Sequence, residues 1–131
     1  MIVGTVRRRE ALIRLSICRY RGRQQEIEAV VDSGCTGWLT LPPSVIAALN
    51  LRWETFGRGI LADGSISAFD VYYAKVMWDG RLRAVFVDEC DATPLIGMAL
   101  LRGYEYKMQV RARGKVTINR LTGGSRRGHG P

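Results

Sequence analysis

Two Asp-Gly pairs bracket one long apolar-rich stretch, and they restrict what this chain can fold into more than any other feature. Ala62-Asp63-Gly64-Ser65 precedes Ile66–Trp78, and Asp79-Gly80 follows it. Asp-Gly between apolar runs is the two-residue turn whose left-handed backbone matches the twist of paired antiparallel strands. The stretch between carries Phe69, Val71, Tyr72, Tyr73 and Val76. β-branched and aromatic residues of this kind suit a pleated strand. Gly57–Leu61 before it and Leu82–Val87 after it read as its partners, which predicts two consecutive hairpins.

Elsewhere the pattern is again mostly strand and turn. Ile13, Leu15 and Ile17 alternate with Arg14, Ser16 and Cys18, the period of a half-buried strand. Tyr20–Arg23 turns it into Glu26–Val31, an opening hairpin. Trp38–Leu41 is a short apolar strand, and Pro42-Pro43 starts a helix, where proline costs nothing in the first turn. Val45, Ile46 and Leu49 give that helix an inward face, and Asn50 can end it in the left-handed region. Thr93-Pro94 leads into a buried strand at Leu95-Ile96, a close backbone approach at Gly97 and a short helix stopped by Gly103. Tyr104, Tyr106, Met108 and Val110 alternate, turn at Arg113-Gly114 and return through Val116 and Ile118. The expected class is all-β with one or two short helices.

At 131 residues the chain is read as one domain, 1–121, followed by a flexible, basic, Gly-rich tail, 122–131. An apolar fraction of 47% is that of an ordinary globular protein. No run approaches the roughly 18 apolar residues of a membrane helix. Arg7, Arg8 and Arg9 are not followed by an apolar run and cleavage site, so no signal peptide and no membrane partner are expected. Cys18, Cys35 and Cys90 are odd in number and widely spaced, which fits neither a disulfide framework nor a zinc site and points to a reducing cytoplasm. Cys18 and Cys90 are expected as small core residues, and Trp38, Trp53 and Trp78 as packing residues. The single histidine, His129, lies in the tail, which argues against His-dependent nucleophilic catalysis and leaves carboxylates as the candidate chemistry. Net charge is +8, crowded at Arg7, Arg8, Arg9, Arg14, Arg19, Arg21 and Arg23 and again at Arg126 and Arg127. Weak polyanion or nucleic-acid contact through these ends is therefore expected.

The candidate site begins where Ile27–Val31 runs into Asp32-Ser33-Gly34-Cys35-Thr36. A strand end fixes a carboxylate and the loop after it exposes the group. Asp-Ser-Gly is also an ordinary turn, and alone it would carry little. Its combination with a hairpin tipped by Ala62, Asp63 and Gly64, and with Leu95-Ile96-Gly97-Met98-Ala99-Leu100-Leu101, resembles the retropepsin-like aspartic proteases, in particular their small bacterial and archaeal members. The resemblance runs from the first hairpin to Ile118.

It implies a closed β-barrel that is half of a pepsin-like enzyme, two copies pairing about a two-fold and each donating one Asp32. Two carboxylates about 3 Å apart hold one proton between them, so the pair can activate a water and polarise a peptide carbonyl. No metal and no cofactor is implied. Ser33 would bond across the two-fold, Gly34 would permit the tight turn, and Gly97 would pack under the Asp32 loop. Ala62, Asp63 and Gly64 would tip a flap over the peptide. Cys35 stands where the family more often has Ala or Ser, the flap lacks a glycine-rich tip, and a full hairpin, Tyr104–Ile118, follows the helix. That hairpin replaces, extends or blocks the dimer sheet. The preferred reading is a homodimeric aspartic endopeptidase acting on peptide or protein. A non-catalytic binding or scaffold module of the same fold ranks second, and a primary nucleic-acid binder last.

Overall fold

The computed structural model describes residues 1–122, and the sequence-predicted tail beyond Thr122 lies outside them. The chain opens with β1 (Ile2–Arg7), β2 (Glu10–Cys18) and β3 (Gln24–Val31). A short β4 (Leu39–Leu41) leads into α1 (Pro43–Leu49), and β5 (Arg52–Ile60), β6 (Ile66–Trp78) and β7 (Arg81–Glu89) follow. The two-residue β8 (Leu95–Ile96), α2 (Met98–Leu101), β9 (Tyr104–Met108) and β10 (Lys115–Arg120) complete it. Among the described residues no helix is long and apolar enough to cross a membrane.

The two Asp-Gly hairpins set the frame. Asp79 and Gly80 both take positive φ, 51° and 84°, and close β6 onto β7 with Trp78 opposite Arg81. Gly64, at φ 86°, tips the hairpin of β5 and β6. Because β6 is 13 residues long, it serves several neighbours. Ile66 to Tyr73 pair with β5, Val71 to Trp78 pair with β7, and Val76 and Met77 pair with Ile17 and Ser16 of β2. That last pairing brings the sheet back on itself, so β6, β7, β4, β8, β3 and β2 form a ring of pairings. β5 hangs from one side of the ring and β1, β10 and β9 from the other.

Alternation fills the interior. Ile13, Leu15 and Ile17 of β2, Val76 and Trp78 of β6, and Val85 and Val87 of β7 are almost wholly buried. Ile46 and Leu49 of α1 and Leu100 and Leu101 of α2 close the same core. Pro42 and Pro43 start α1, and Asn50 ends it at φ 51°, ψ 47°, its N–H donating to the Ala47 carbonyl.

Four details differ from the sequence reading. β1 exists although alternation is weak there, because Gly4 lies flat against β2: an added Cβ would stand 2.1 Å from the Leu12 carbonyl oxygen. β9 stops at Met108, and Val110 is exposed in the connection to β10. Cys90 is exposed rather than in the core, since the chain has already left β7. Trp53 is half exposed on the outermost strand, β5, whereas Trp78 is the packing residue expected.

Ile17 is fully buried where β2 meets β6, whereas Ile60 is 80% exposed at the end of β5. Ile17→Ala is expected to lower unfolding free energy by about 2–5 kcal/mol. Ile60→Ala should change it by less than about 0.5 kcal/mol in the same urea titration.

Candidate active site

β3 is apolar on its inner face through Ala29 and Val31, and it delivers Asp32 to the surface. The parallel ladder with β8 continues one residue past the strand: the Asp32 N–H donates to the Ile96 carbonyl at 2.9 Å. There the chain turns. The Gly34 N–H donates to Asp32 Oδ1 at 2.9 Å, and the Cys35 N–H donates to the Asp32 carbonyl at 3.1 Å. A side-chain oxygen thus folds the loop over its own carboxylate, the local bonding that makes Asp common in turns. Asp32 remains partly accessible, and Ser33, Gly34 and Thr36 are exposed.

The far side of the loop is clamped by β8 and α2. Gly97 N–H donates to the Trp38 carbonyl at 3.0 Å, Met98 N–H to the Cys35 carbonyl at 2.8 Å, and Ala99 N–H to the Gly37 carbonyl at 3.0 Å. A Cβ on Gly97 would lie 2.2 Å from the Gly37 oxygen and 3.0 Å from Cys35 Sγ. Only glycine admits this approach. Cys35 is half-buried beside it, with Sγ 3.9 Å from Oγ1 of the buried Thr40. Leu95, Ile96 and Gly97 therefore stand directly against the Asp32 loop, as does β4 through the pairs Leu39–Ile96 and Thr40–Leu95.

A second carboxylate, not foreseen from the sequence, lies at this loop. Asp88 Oδ2 would be 3.2 Å from a Cβ placed on Gly37. Alternation along β7 turns Val85 and Val87 inward and Asp88 outward, but the parallel pairing of β4 with β7 sets Thr40 beside Asp88. The segment leading from Asp32 into β4 then covers the carboxyl. Burial pushes its pKa up from the ordinary carboxylate value.

The residues expected from the sequence to tip a flap are held otherwise. Leu61 N–H donates to the Ser65 carbonyl, Gly64 N–H to the Leu61 carbonyl, and Asp63 Oδ1 accepts from both the N–H and the hydroxyl of Ser65. The Ser65 hydroxyl, and then its N–H, hold the Asp63 carboxyl below the ordinary value. Ala62, Asp63 and Gly64 are exposed, flanked by the exposed apolar residues Ile60, Leu61 and Ile66. These hydrogen bonds all stay within the turn. Among the described residues no cluster of three His, Cys, Asp or Glu side chains is placed to hold a metal. A groove of about 730 Å³ is lined by residues of β2, β5 and β6 and the turn after β2, with none from the Asp32 loop. In a single chain Asp32 is partly accessible, in a loop whose Ser33, Gly34 and Thr36 are exposed.

Two outcomes follow from this packing. Gly97→Ala must displace the Gly37 backbone and is expected to cost about 1–3 kcal/mol by chemical denaturation. Asp88 carries a raised folded-state pKa, so the folded protein binds its proton more tightly than the unfolded chain. Its contribution favours folding in acid and is lost as pH rises from the ordinary carboxylate value through the raised one. Asp88→Asn should therefore raise the melting temperature at neutral pH, with the difference closing in acid.

The chain matches no protein-family profile and no curated protein. Among solved structures it is similar to the crystal structure of a retropepsin-like aspartic protease from Rickettsia conorii, at 13% identity and a TM-score of 0.56. The match covers 92% of this chain and 91% of that one. The likeness gives the chain a retropepsin-like fold, mostly β with two short helices.

Proposed function

We propose that this chain is an aspartic endopeptidase whose active site is assembled from the Asp32 residues of two identical copies. The observation that carries the reading is a single Asp32-Ser33-Gly34 loop, surface-presented and clamped over Gly97, in a retropepsin-like fold. The pairing of Ser16 and Ile17 with Met77 and Val76, which joins the ring, supports reading that ring as a closed barrel. One carboxylate per chain is half of what the chemistry needs.

With two copies facing, the paired carboxyls share one proton, because both cannot ionise at close range. The ionised member takes a proton from a water held between them. The water oxygen adds to the scissile carbonyl, whose oxygen receives a hydrogen bond from the protonated member. Collapse of the tetrahedral species, with proton return to the leaving nitrogen, breaks the peptide bond. Asp32 Oδ1 is already engaged by the Gly34 N–H, which orients the carboxyl. Ser33 lies on the exposed side of the loop, free to bond to a facing copy. Ile60, Leu61 and Ile66 give the flap an apolar tip suited to covering a peptide and excluding water.

The pairing of β1 bears on how two copies meet. Both of its edges are used, by β2 and by β10, so a partner's strand cannot be added there. Of the three roles open to the final hairpin, this favours extension of the sheet, with β9 as the new edge. The free state of Cys18, Cys35 and Cys90 suits a reducing cytoplasm.

Asp32→Asn keeps the shape of the carboxyl while removing its acid–base function, so it should abolish cleavage and leave the melting curve unchanged. It should also poison the wild type. With a nine-fold excess of mutant and free exchange, random pairing leaves activity at roughly a tenth of its starting value. Full activity under that mixing would show a complete site in one chain and overturn the shared pair. Wild-type protein that dimerises yet cleaves nothing in a diverse peptide library would favour the non-catalytic binding module.

A further inference from the structure

The sheet ends at β9, and its last row of apolar side chains is left half covered. Across the pair of β9 with β10, Val116 stands beside Met108 and Ile118 beside Tyr106. Val116 and Ile118 are fully buried, whereas Met108, Tyr106 and Tyr104 are only partly so, although they pack against the same core. Among the described residues no strand lies beyond them. On the opposite face β9 carries Glu105 and Lys107, both exposed, with their charged ends 3.6 Å apart.

The backbone of this edge has a definite phase. The Gln109 N–H donates to the Lys115 carbonyl, and the Gly103 carbonyl accepts from the Leu121 N–H, both at 2.9 Å. Hydrogen-bonded pairs alternate along an antiparallel ladder, so the odd-numbered residues of β9 bond to β10. Tyr104, Tyr106 and Met108 therefore turn their N–H and carbonyl groups to the open side. For a second β9 running antiparallel about a two-fold, these groups meet only in registers that pair one central residue with its own copy. Centred on Glu105 or Lys107, like charges meet. Centred on Tyr104 or Met108, the strands overlap only at their ends. Centred on Tyr106, the whole of β9 pairs, and Glu105 stands opposite Lys107 of the second copy. The hydrogen-bonded pairs are then Tyr106 with its own copy and, on either side, Tyr104 with Met108. The charges fall at the alternate positions, where opposed side chains come closest.

We infer that the edge of β9 is the surface on which a second copy of this chain docks, in the register centred on Tyr106. Glu105 and Lys107 of the two copies then alternate in sign around a square, and opposite charges across a strand pair stabilise it. The half-covered row of Tyr104, Tyr106 and Met108 continues into its own copy on the other face. The charges that oppose a strand of unrelated sequence thus select this one, in one register. The inference goes beyond the protease reading, since it needs two copies but no cleavage.

The test is sedimentation equilibrium of the full chain over a concentration series. A reversible monomer–dimer equilibrium is expected, weakened as salt rises. Glu105→Lys and Lys107→Glu each turn two attractions into two repulsions, and each should weaken the dimer about ten-fold. Mixed in equal amounts, the two variants should recover it, because every opposed pair again has opposite signs. Melting curves check each fold. If either variant melts early, Glu105→Gln and Lys107→Gln carry the same test, with losses of about three-fold. A dimer that ignores these substitutions would overturn the inference, as would variants that stay monomeric on mixing. So would a wild-type chain that is monomeric at high concentration. Dimers formed only after removal of residues 122–131 would overturn it in favour of the chain's own end as the occupant of the edge. A dimer indifferent to Glu105 and Lys107 that still cleaves peptide overturns this inference and leaves the protease reading standing. A chain that pairs through these residues and cleaves nothing does the reverse.

Discussion

The contact of Gly97 with the backbone of Gly37 is the constraint on which the Asp32 loop depends. A two-residue strand, β8, sits between β3 and β4, parallel to one and antiparallel to the other. Such a short strand contributes little ladder of its own. What holds the three segments in register is the set of bonds around it: Asp32 to Ile96, Gly97 to Trp38, Met98 to Cys35 and Ala99 to Gly37. Each is worth about 0.5–1.5 kcal/mol net, so their importance is positional more than energetic. They close only if the two backbones come within reach, and a side chain at position 97 would keep them apart. The carboxylate is placed by backbone, and the backbone is placed by the missing Cβ.

What the sequence made legible was local. Asp79-Gly80 specified a turn with two positive φ values and so fixed the end of β6 at Trp78. The diprolyl start and Asn50 stop of α1 likewise rest on the conformational limits of single residues. Gly97 was recognisable because a glycine between an apolar pair and a helical run asks for a close approach. The features that escaped are those created by strands distant in sequence. Nothing near Asp88 shows that β4 will lie beside it in parallel, since its alternation marks it as outward-facing. Likewise the join of β2 to β6 depends on residues about 60 positions apart, at Ile17 and Val76. Trp53 misleads for a different reason: large aromatics are usually buried, and here the strand that carries it is an edge.

Edges also decide which surfaces remain available. Among the described residues, β5 and β9 end the order of the sheet, each with an open side. An open edge invites pairing with another chain unless it is short, twisted or charged. β9 is five residues long with Glu105 and Lys107 facing outward, which limits uncontrolled addition. β5 is longer, but the bulge after Trp53 and the charges of Arg52, Glu54 and Arg58 interrupt its regularity. Both edges are thus guarded by charge.

The hairpin of β5 and β6 consequently bears two kinds of surface on one rigid element. Its tip exposes Ile60, Leu61 and Ile66 around a self-contained turn, while its foot sets Arg52 and Lys75 on one face, beside the turn after β2, and Trp53 on the other. Apolar residues at the tip gain by covering something dry. Cations at the foot gain by meeting something anionic that does not have to be buried. Since the foot shares no residue with the Asp32 loop, occupation of one surface need not obstruct the other.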